Sequence, residues 1–455
     1  MHPKNQNLLK RPRRNKIAVN NKCNNTRSFC HYLLINESKL LMFNKSMWKK
    51  FILKLKNGDI TPFYRALVYF WFKLLGLVFV LPTIIFLWIL KPFFWLKVGK
   101  IHHGRIGHLG VETELFLRRR QLGVFPDGPT YCFVCDSRGV ANRQLLTMFK
   151  RVMRIYEGRI FVSIFDGMLP FLKKTPFYQP LGTKNNEYFE FNNGKPSIFF
   201  TPEEIQRGRE LLKNLNVDMD TENYVCVFAR DNAFLKNTMP HNNWSYHDRR
   251  NSDIDNFVKA IKFLIEKGLT VIRVGSVVNK PISFSHPRFI DYPLSENQCE
   301  FLDIFLIGTC KFFLGASSGI CDMTLLFDIP RLNVDMAEFG LAPIGKNCLY
   351  IPKKHKFTKT GQYLYFKDAL VLKLHPYSRN AQELGLELEE NSPEDILSAT
   401  EEMLGRLEGT FKYSPEEERL GNNFQKLWSK SNIVCRDVPT PIGIEWLKQN
   451  KDLYF

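Results

Sequence analysis

Residues 224–276 read YVCVFARDN, a long polar insert, and then SDIDNFVKAIKFLIEKGLTVIRVGS. YVCVFA (224–229) and TVIRVG (270–275) are nearly continuous apolar runs without alternation, the signature of strands buried on both faces of a parallel sheet. Between them, Ser252, Asp253 and Asp255 can cap a helix whose apolar stripe is Phe257, Ile261, Leu264 and Ile265 and which Gly268 stops. Strand, helix and parallel strand make one βαβ unit, and the pattern continues outward. RFIDY (288–292) reads as a strand, Glu300 to Ile307 as a helix, KFFLG (311–315) as a strand, Ile320 to Phe327 as a helix, and RLNVD (331–335) as the last strand.

A second α/β unit lies upstream. YCFVCD (131–136) reads as a strand, Asn142 to Arg154 as a helix through Leu145, Leu146, Phe149, Val152 and Met153, and Ile160 to Phe165 as the next strand. Before it stands a glycine-punctuated turn, GRIGHLG (104–110), leading into the helix-like VETELFLRRR. Residues 174–200 have no period and read as a linker. Thr201, Pro202 and Glu204 form an N-cap, a proline at N1 and a capping-box partner for a helix reaching about Asn214; Ser392 to Asp395 open another that reaches about Leu407. Two Rossmann-like, doubly wound domains are therefore expected, at 101–200 (with linker) and 201–380, with a helical segment at 381–455.

In open parallel sheets ligands bind beyond the carboxyl ends of the strands. Three loops there carry chemistry. The first spans Arg230 to Asn251 where two to six residues would be usual. It begins Arg230-Asp231-Asn232 and ends in His247-Asp248-Arg249-Arg250 ahead of a helix. Guanidinium forks match phosphate oxygens, so Arg230, Arg249 and Arg250 are expected to bind a diphosphate, with Lys353 adding charge. The second loop is GASSG (315–319), in which Ser317, Ser318 and Gly319 can meet an anion at a helix start. The third follows VIRV, where Arg273, Gly275 and Ser276 are weaker donor-binding candidates. Across the cleft, Arg105, His108 and Asn142 are expected on the acceptor side.

A pyrophosphate site in one of two α/β units describes a sugar-nucleotide enzyme. Its departing diphosphate would be stabilised by arginines instead of a metal. No Asp-x-Asp stands at a strand end, since Asp218-Met219-Asp220 precedes a strand; neither metal nor cofactor is expected. An inverting transfer needs a base, for which Asp231 and His247 are the candidates. GASSG also matches the G-x-S-x-G elbow of α/β-hydrolases, with Ser317 as nucleophile and His355 or His375 as base. A non-catalytic, membrane-bound glycan-binding protein is a third reading.

The chain has 455 residues and a formal net charge of +19. Residues 1–120 hold 23 Lys/Arg against 4 Asp/Glu, leaving 41 of each in the remainder. The excess belongs to one end, so it argues for an anionic membrane surface and against nucleic acid. Residues 1–45 read as a basic disordered tail; Met42 or Met47 could be the start of translation. Residues 46–100 read as a membrane-anchor segment with an apolar core at 68–90, VYFWFKLLGLVFVLPTIIFLWIL, long enough to span a bilayer. Basic residues flank it on both sides, and Pro82 could turn it back as a re-entrant or interfacial anchor. Ten scattered cysteines fit reduced thiols, and the Cys132/Cys135 pair would point to opposite faces of one strand.

YHDRRNSDIDNFVKAIKFLIEKGLTVIRVGS, FLDIFLIGTCKFFLGASSG, Phe228 to Asp231 and Ile351 to Lys354 resemble a family of bacterial GT-B-type glycosyltransferases met among surface-polysaccharide genes. Weaker likenesses at GRIGHLGVETELFLRRR and ANRQLLTMFKR extend the resemblance over roughly residues 101–410. His247-Asp248-Arg249-Arg250 is also similar to the His-x-Arg-Arg stretch of fucosyltransferases, whose second arginine binds the donor diphosphate; the next aspartate is displaced here to Asp253. The resemblance implies a GT-B-like fold and transfer from a nucleotide-sugar donor to a glycan or lipid-linked acceptor. It implies cytoplasmic catalytic domains at a bacterial inner membrane.

Overall fold

A computed structural model describes residues 61–183, 187–238, 245–337, 341–371, 384–429 and 438–455. The basic tail, residues 46–60 of the anchor segment and His375 lie outside the described residues.

The second unit follows the sequence closely. Its sheet contains β4 (Tyr224–Phe228), β5 (Thr270–Arg273), β6 (Phe289–Asp291), β7 (Phe313–Ala316), β8 (Arg331–Met336) and β9 (Leu349–Pro352), preceded in the chain by β1 to β3 below. All are parallel, in the order β6-β5-β4-β7-β8-β9. That is the doubly wound dinucleotide-fold order, and it reverses direction between β4 and β7. Val225, Val227, Val271, Ile272, Leu314 and Leu332 are fully buried, as their unbroken apolar runs require. The helix Val258–Glu266 enters through a short 3-10 turn capped by Asp253 and ends at Gly268, whose φ of +84° suits glycine. β8 is not the last strand: β9 adds to its edge, and β10 (Lys354–Phe357) pairs antiparallel with β11 (Leu386–Glu389). The expected helix after GASSG is a six-residue 3-10 turn, Cys321–Leu326. The helix Pro393–Glu408 has the expected capping box between Ser392 and Asp395, and its Ile396, Ala399 and Met403 join the sheet's core.

The first unit departs further. Its sheet is β1 (Leu96–Lys100), β2 (Thr130–Cys135) and β3 (Arg154–Glu157), parallel and in that order. The expected strand Ile160–Phe165 is instead part of the helix Arg159–Leu172. Val162, Phe165 and Leu172 are buried on one helical face, at i, i+3 and i+10, so a run that passes for a strand by composition is resolved by what it packs on. With three strands this unit is smaller than the doubly wound domain expected.

The apolar segment forms a helix, Thr61–Leu90, that continues through Pro82. Pro82 therefore does not turn the chain back on itself, and the re-entrant reading is withdrawn.

One apolar core joins the units. Leu146 and Phe149 on the helix Arg143–Val152 share it with Phe301, Leu302 and Phe305 on the helix Glu300–Thr309. Asn142 secures the seam: its Oδ1 accepts from Leu145 N at 2.8 Å and its Nδ2 donates to Glu300 O at 2.7 Å.

Candidate active site

The strand order reverses between β4 and β7, so their following loops flank the natural crevice. Arg230, just beyond β4, is buried and donates to His247 O at 3.1 Å and Asn251 Oδ1 at 2.5 Å. Its own carbonyl accepts from Ser252 N at 2.8 Å. Lys353, beyond β9, reaches the same place, with Nζ 2.6 Å from Asn251 O and 3.7 Å from Glu390. These two cations hold the end of the long loop. Arg249 and Arg250 then emerge half-buried from the 3-10 turn Ser245–Arg250.

His247 reports the field there. Burial and the guanidiniums of Arg250, Arg230, Arg105 and Arg249 together lower its pKa to about 4. Three of those arginines come from the second unit and Arg105 from the first. Burial, with Arg249 nearby, likewise lowers His355 to about 4. Residues far apart in sequence thus converge on one cationic centre.

The glycine-punctuated turn meets GASSG directly. A methyl built on Gly107 would lie 3.1 Å from Gly319 Cα, and one on Gly110 would strike Met323 Cε at 2.6 Å. Glycine at both positions leaves room for this turn to lie close on Gly319 and on Met323 of the following 3-10 turn. His108 donates from Nδ1 to Glu112 Oε1 at 2.6 Å, and His102 Nδ1 meets Glu112 Oε2. Burial would raise the Glu112 pKa, yet the two imidazole hydrogen bonds outweigh it and bring it to about 2. The bond to Glu112 raises the pKa of His102 against the opposing effect of burial.

Hydrogen-bond partners separate the two histidines. Arginine only donates, so His247 Nδ1, bonded to Arg250 Nη2, must be the acceptor and the ring proton sits on Nε2. An ionised carboxylate only accepts, so His108 carries its proton on Nδ1 and presents the Nε2 lone pair. The proton of neutral His247 thus sits on Nε2 and that of neutral His108 on Nδ1. Asp231 Oδ1 accepts from Ala233 N at 2.9 Å and its Oδ2 from Asn279 N at 2.8 Å, which ties the start of the long loop to the loop after β5.

Other expectations shift for similar reasons. Arg273 is buried and its guanidinium is engaged by Asp291 at 3.1 Å and Lys280 O at 2.9 Å. The carbonyls of Gly275 and Ser276 are taken by Gln298 Nε2 at 2.8 and 3.2 Å. Asn142, buried in the seam, does not face an acceptor. Ser318 Oγ accepts from Cys321 N at 3.4 Å, closing the 3-10 turn. Among the described residues Ser317 has neither the positive φ of a strained elbow nor a hydrogen bond to a histidine; His375 lies outside them. His102 and Glu112 were not singled out. Their signals were a histidine two residues beyond β1 and a Glu at i+4 from His108.

A pocket lined by Met336, Tyr350, Lys353, His355, Leu364 and Trp446 adjoins the cluster beside β9. Among the described residues, no group of three His, Cys, Asp or Glu is arranged to hold a metal ion. Asp218 and Asp220 lie before β4, at the opposite edge, where Asp220 pairs with Arg209 at 2.9 Å.

No protein-family model matches the chain, and neither does any curated protein sequence. Solved structures do resemble it. The E. coli ADP-heptose lipopolysaccharide heptosyltransferase II aligns over 69% of this chain and 98% of its own, at 12% identity and a TM-score of 0.41. A glycosyl transferase family 9 protein from Veillonella parvula aligns over 57% and 86%, at 8% identity and 0.36. The dodecameric, iron-containing glycosyltransferase TibC of enterotoxigenic E. coli aligns over 69% and 80%, at 10% identity and 0.36. These neighbours are GT-B glycosyltransferases, and at such overlap the case for function rests on this chain's own residues.

Proposed function

We propose that the protein is a glycosyltransferase using a nucleotide-sugar donor. The observation that carries this reading is the convergence of Arg105, Arg230, Arg249 and Arg250 on His247 at the sheet's switch point. Arg249, Arg250 and Arg105 bind the donor diphosphate, and His247 donates from Nε2. The pocket beside Lys353 and His355 takes the nucleoside.

His108 Nε2 removes the proton from an acceptor hydroxyl, and Glu112 stabilises the imidazolium that results. The acceptor oxygen bonds to the anomeric carbon as that carbon's bond to the diphosphate oxygen breaks. The leaving group departs as an anion held by guanidiniums, which perform the charge neutralisation a metal would otherwise supply. The acceptor is a glycan or lipid-linked saccharide of a bacterial surface polysaccharide, in keeping with the motif resemblance.

The test is turnover of a panel of nucleotide sugars by the purified protein in the presence of EDTA, with Arg249→Ala in parallel. Donor-dependent transfer that survives EDTA and falls at least tenfold in Arg249→Ala is expected. Absence of donor binding, or an absolute metal requirement, overturns the reading, and glycan binding without turnover makes the protein a binding module.

A further inference from the structure

The helix Thr61–Leu90 is the one helix among the described residues that is long and apolar enough to cross a bilayer, but it does not stand clear of the protein. It lies backbone to backbone on the helix Arg159–Leu172. A methyl on Gly76 would come within 2.2 Å of Ile164 O, and one on Gly167 within 2.0 Å of Lys73 O. Val80 and Leu87 are buried in this contact, with Leu87 packed among Phe165, Leu172 and Phe177. At the other end Tyr69 donates to Asp166 at 3.1 Å, and Asp166 also takes the ammonium of Lys100 at 2.8 Å. From Tyr69 to Leu87 the helix is thus held for about 27 Å along a folded α/β unit. A helix crossing the bilayer would carry Asp166, Lys100 and the sheet behind them into hydrocarbon.

The outer face fits no aqueous role. A helix docked on a soluble domain turns a polar face to water. Here Phe70, Val78, Leu81, Ile85 and Ile89 are each about 60% exposed and Phe93 is 88% exposed. A continuous patch of this size, on the order of 1,000 Å², is well beyond the few hundred Å² of an ordinary monomer. Its rim is cationic and aromatic: Lys91 lies over the rings of Trp88 and Trp95 at 4.8 and 5.0 Å, and Lys173 and Lys174 are exposed beside Phe171. Residues 60–111 contain six Lys/Arg and no Asp/Glu. A second copy of the chain would set this basic rim against another, whereas anionic headgroups complement it.

We propose that the outer face of residues 67–94, with the neighbouring end of the helix Arg159–Leu172, is a monotopic docking surface for an anionic lipid leaflet, the long helix lying in the membrane plane. This stands independently of the glycosyl-transfer reading. Since Lys100 leads directly into His102 and Arg105, it also sets the first unit's side of the crevice beside the leaflet.

The test uses the full chain and vesicles of phosphatidylcholine with or without about a third phosphatidylglycerol. Co-sedimentation is expected with the anionic vesicles and should weaken at least tenfold without the anionic lipid. The combined change Val78→Gln, Leu81→Gln, Ile85→Gln, Ile89→Gln, all at solvent-facing positions, should release the protein at least tenfold with an unchanged circular-dichroism spectrum. Phe79→Trp, midway along the helix, reports depth: the fluorescence it adds should be quenched most by lipids brominated near the headgroup. Strongest quenching by bromines near the bilayer centre means the helix crosses and overturns the proposal. So does failure to bind vesicles, or a stable dimer that the four glutamines dissolve.

Discussion

Arg118 and the arginines around His247 occupy contrasting settings. Arg118, on the helix Thr113–Gln121, is fully buried and surrounded by acceptors: Glu114 at 2.8 Å, Phe191 O at 2.8 Å, Gly194 O at 3.2 Å, Leu325 O at 2.8 Å and Asp328 at 2.9 Å. Those partners come from both α/β units. Around His247, burial first and then the guanidiniums of Arg250, Arg230, Arg105 and Arg249 lower the imidazole pKa to about 4. A buried guanidinium with a full set of acceptors ties elements together, while several guanidiniums around one crevice raise the local potential for an anionic ligand. Arginine content alone would not have told the two apart.

The sharpest way to break that contrast is Arg118→Ala. It leaves Glu114 and three carbonyls buried without their donor, and should cost about 3–5 kcal/mol of stability. Chemical denaturation checks this, and surviving activity should follow the folded fraction. Arg249→Ala should do the reverse. We expect a loss of roughly 10²–10³ in kcat/KM, about 2.7–4 kcal/mol of transition-state stabilisation, with the unfolding midpoint nearly unchanged. If both variants lose stability alike, the cationic centre is structural.

Glu112→Gln addresses the base. The amide can still accept from His108 but no longer stabilises an imidazolium, so kcat should fall roughly 10- to 100-fold while donor affinity holds. The same change should return the His102 pKa downward, as its largest upward influence is the bond to Glu112. A histidine titration by NMR separates this from a loss of folding.

How much of this was legible depended on how local its cause was. The strands of the second unit were plain because burial on both faces leaves an unbroken apolar run, as in YVCVF and TVIR. Caps such as Thr201 with Glu204 need only three residues of spacing. The helix Arg159–Leu172 was not legible, because its apolar run suits either period and its form is settled by Gly167 meeting Lys73 O. β9 was missed because four residues show no pattern. Around the crevice, the arginines at the end of the long loop could be located from its length and composition, whereas Arg273 could not be told from the buried partner of Asp291 that it is. The hydrogen-bond partners of Asp231, His108 and His247 could not be read, because the fold brings some of them in from elsewhere in the chain.

The smallest expected effect concerns His247 itself. The unfolded chain takes up this proton near pH 6.5 and the folded chain only near 4. Between those values the unfolded state binds more protons, so this contribution to stability is present above pH 6.5 and is lost as pH falls toward 4. A bound diphosphate places negative charge among the same guanidiniums and raises the His247 pKa, so binding takes up a proton. A nucleotide sugar, whose diphosphate diester does not titrate here, should therefore bind more tightly as pH is lowered from 7 to 5, by up to about tenfold for each unit the pKa rises. His247→Asn should flatten that dependence while leaving Arg249 and Arg250 in place. If affinity is equally pH-dependent in both proteins, the diphosphate does not sit among these arginines, and the contrast with Arg118 loses its functional half.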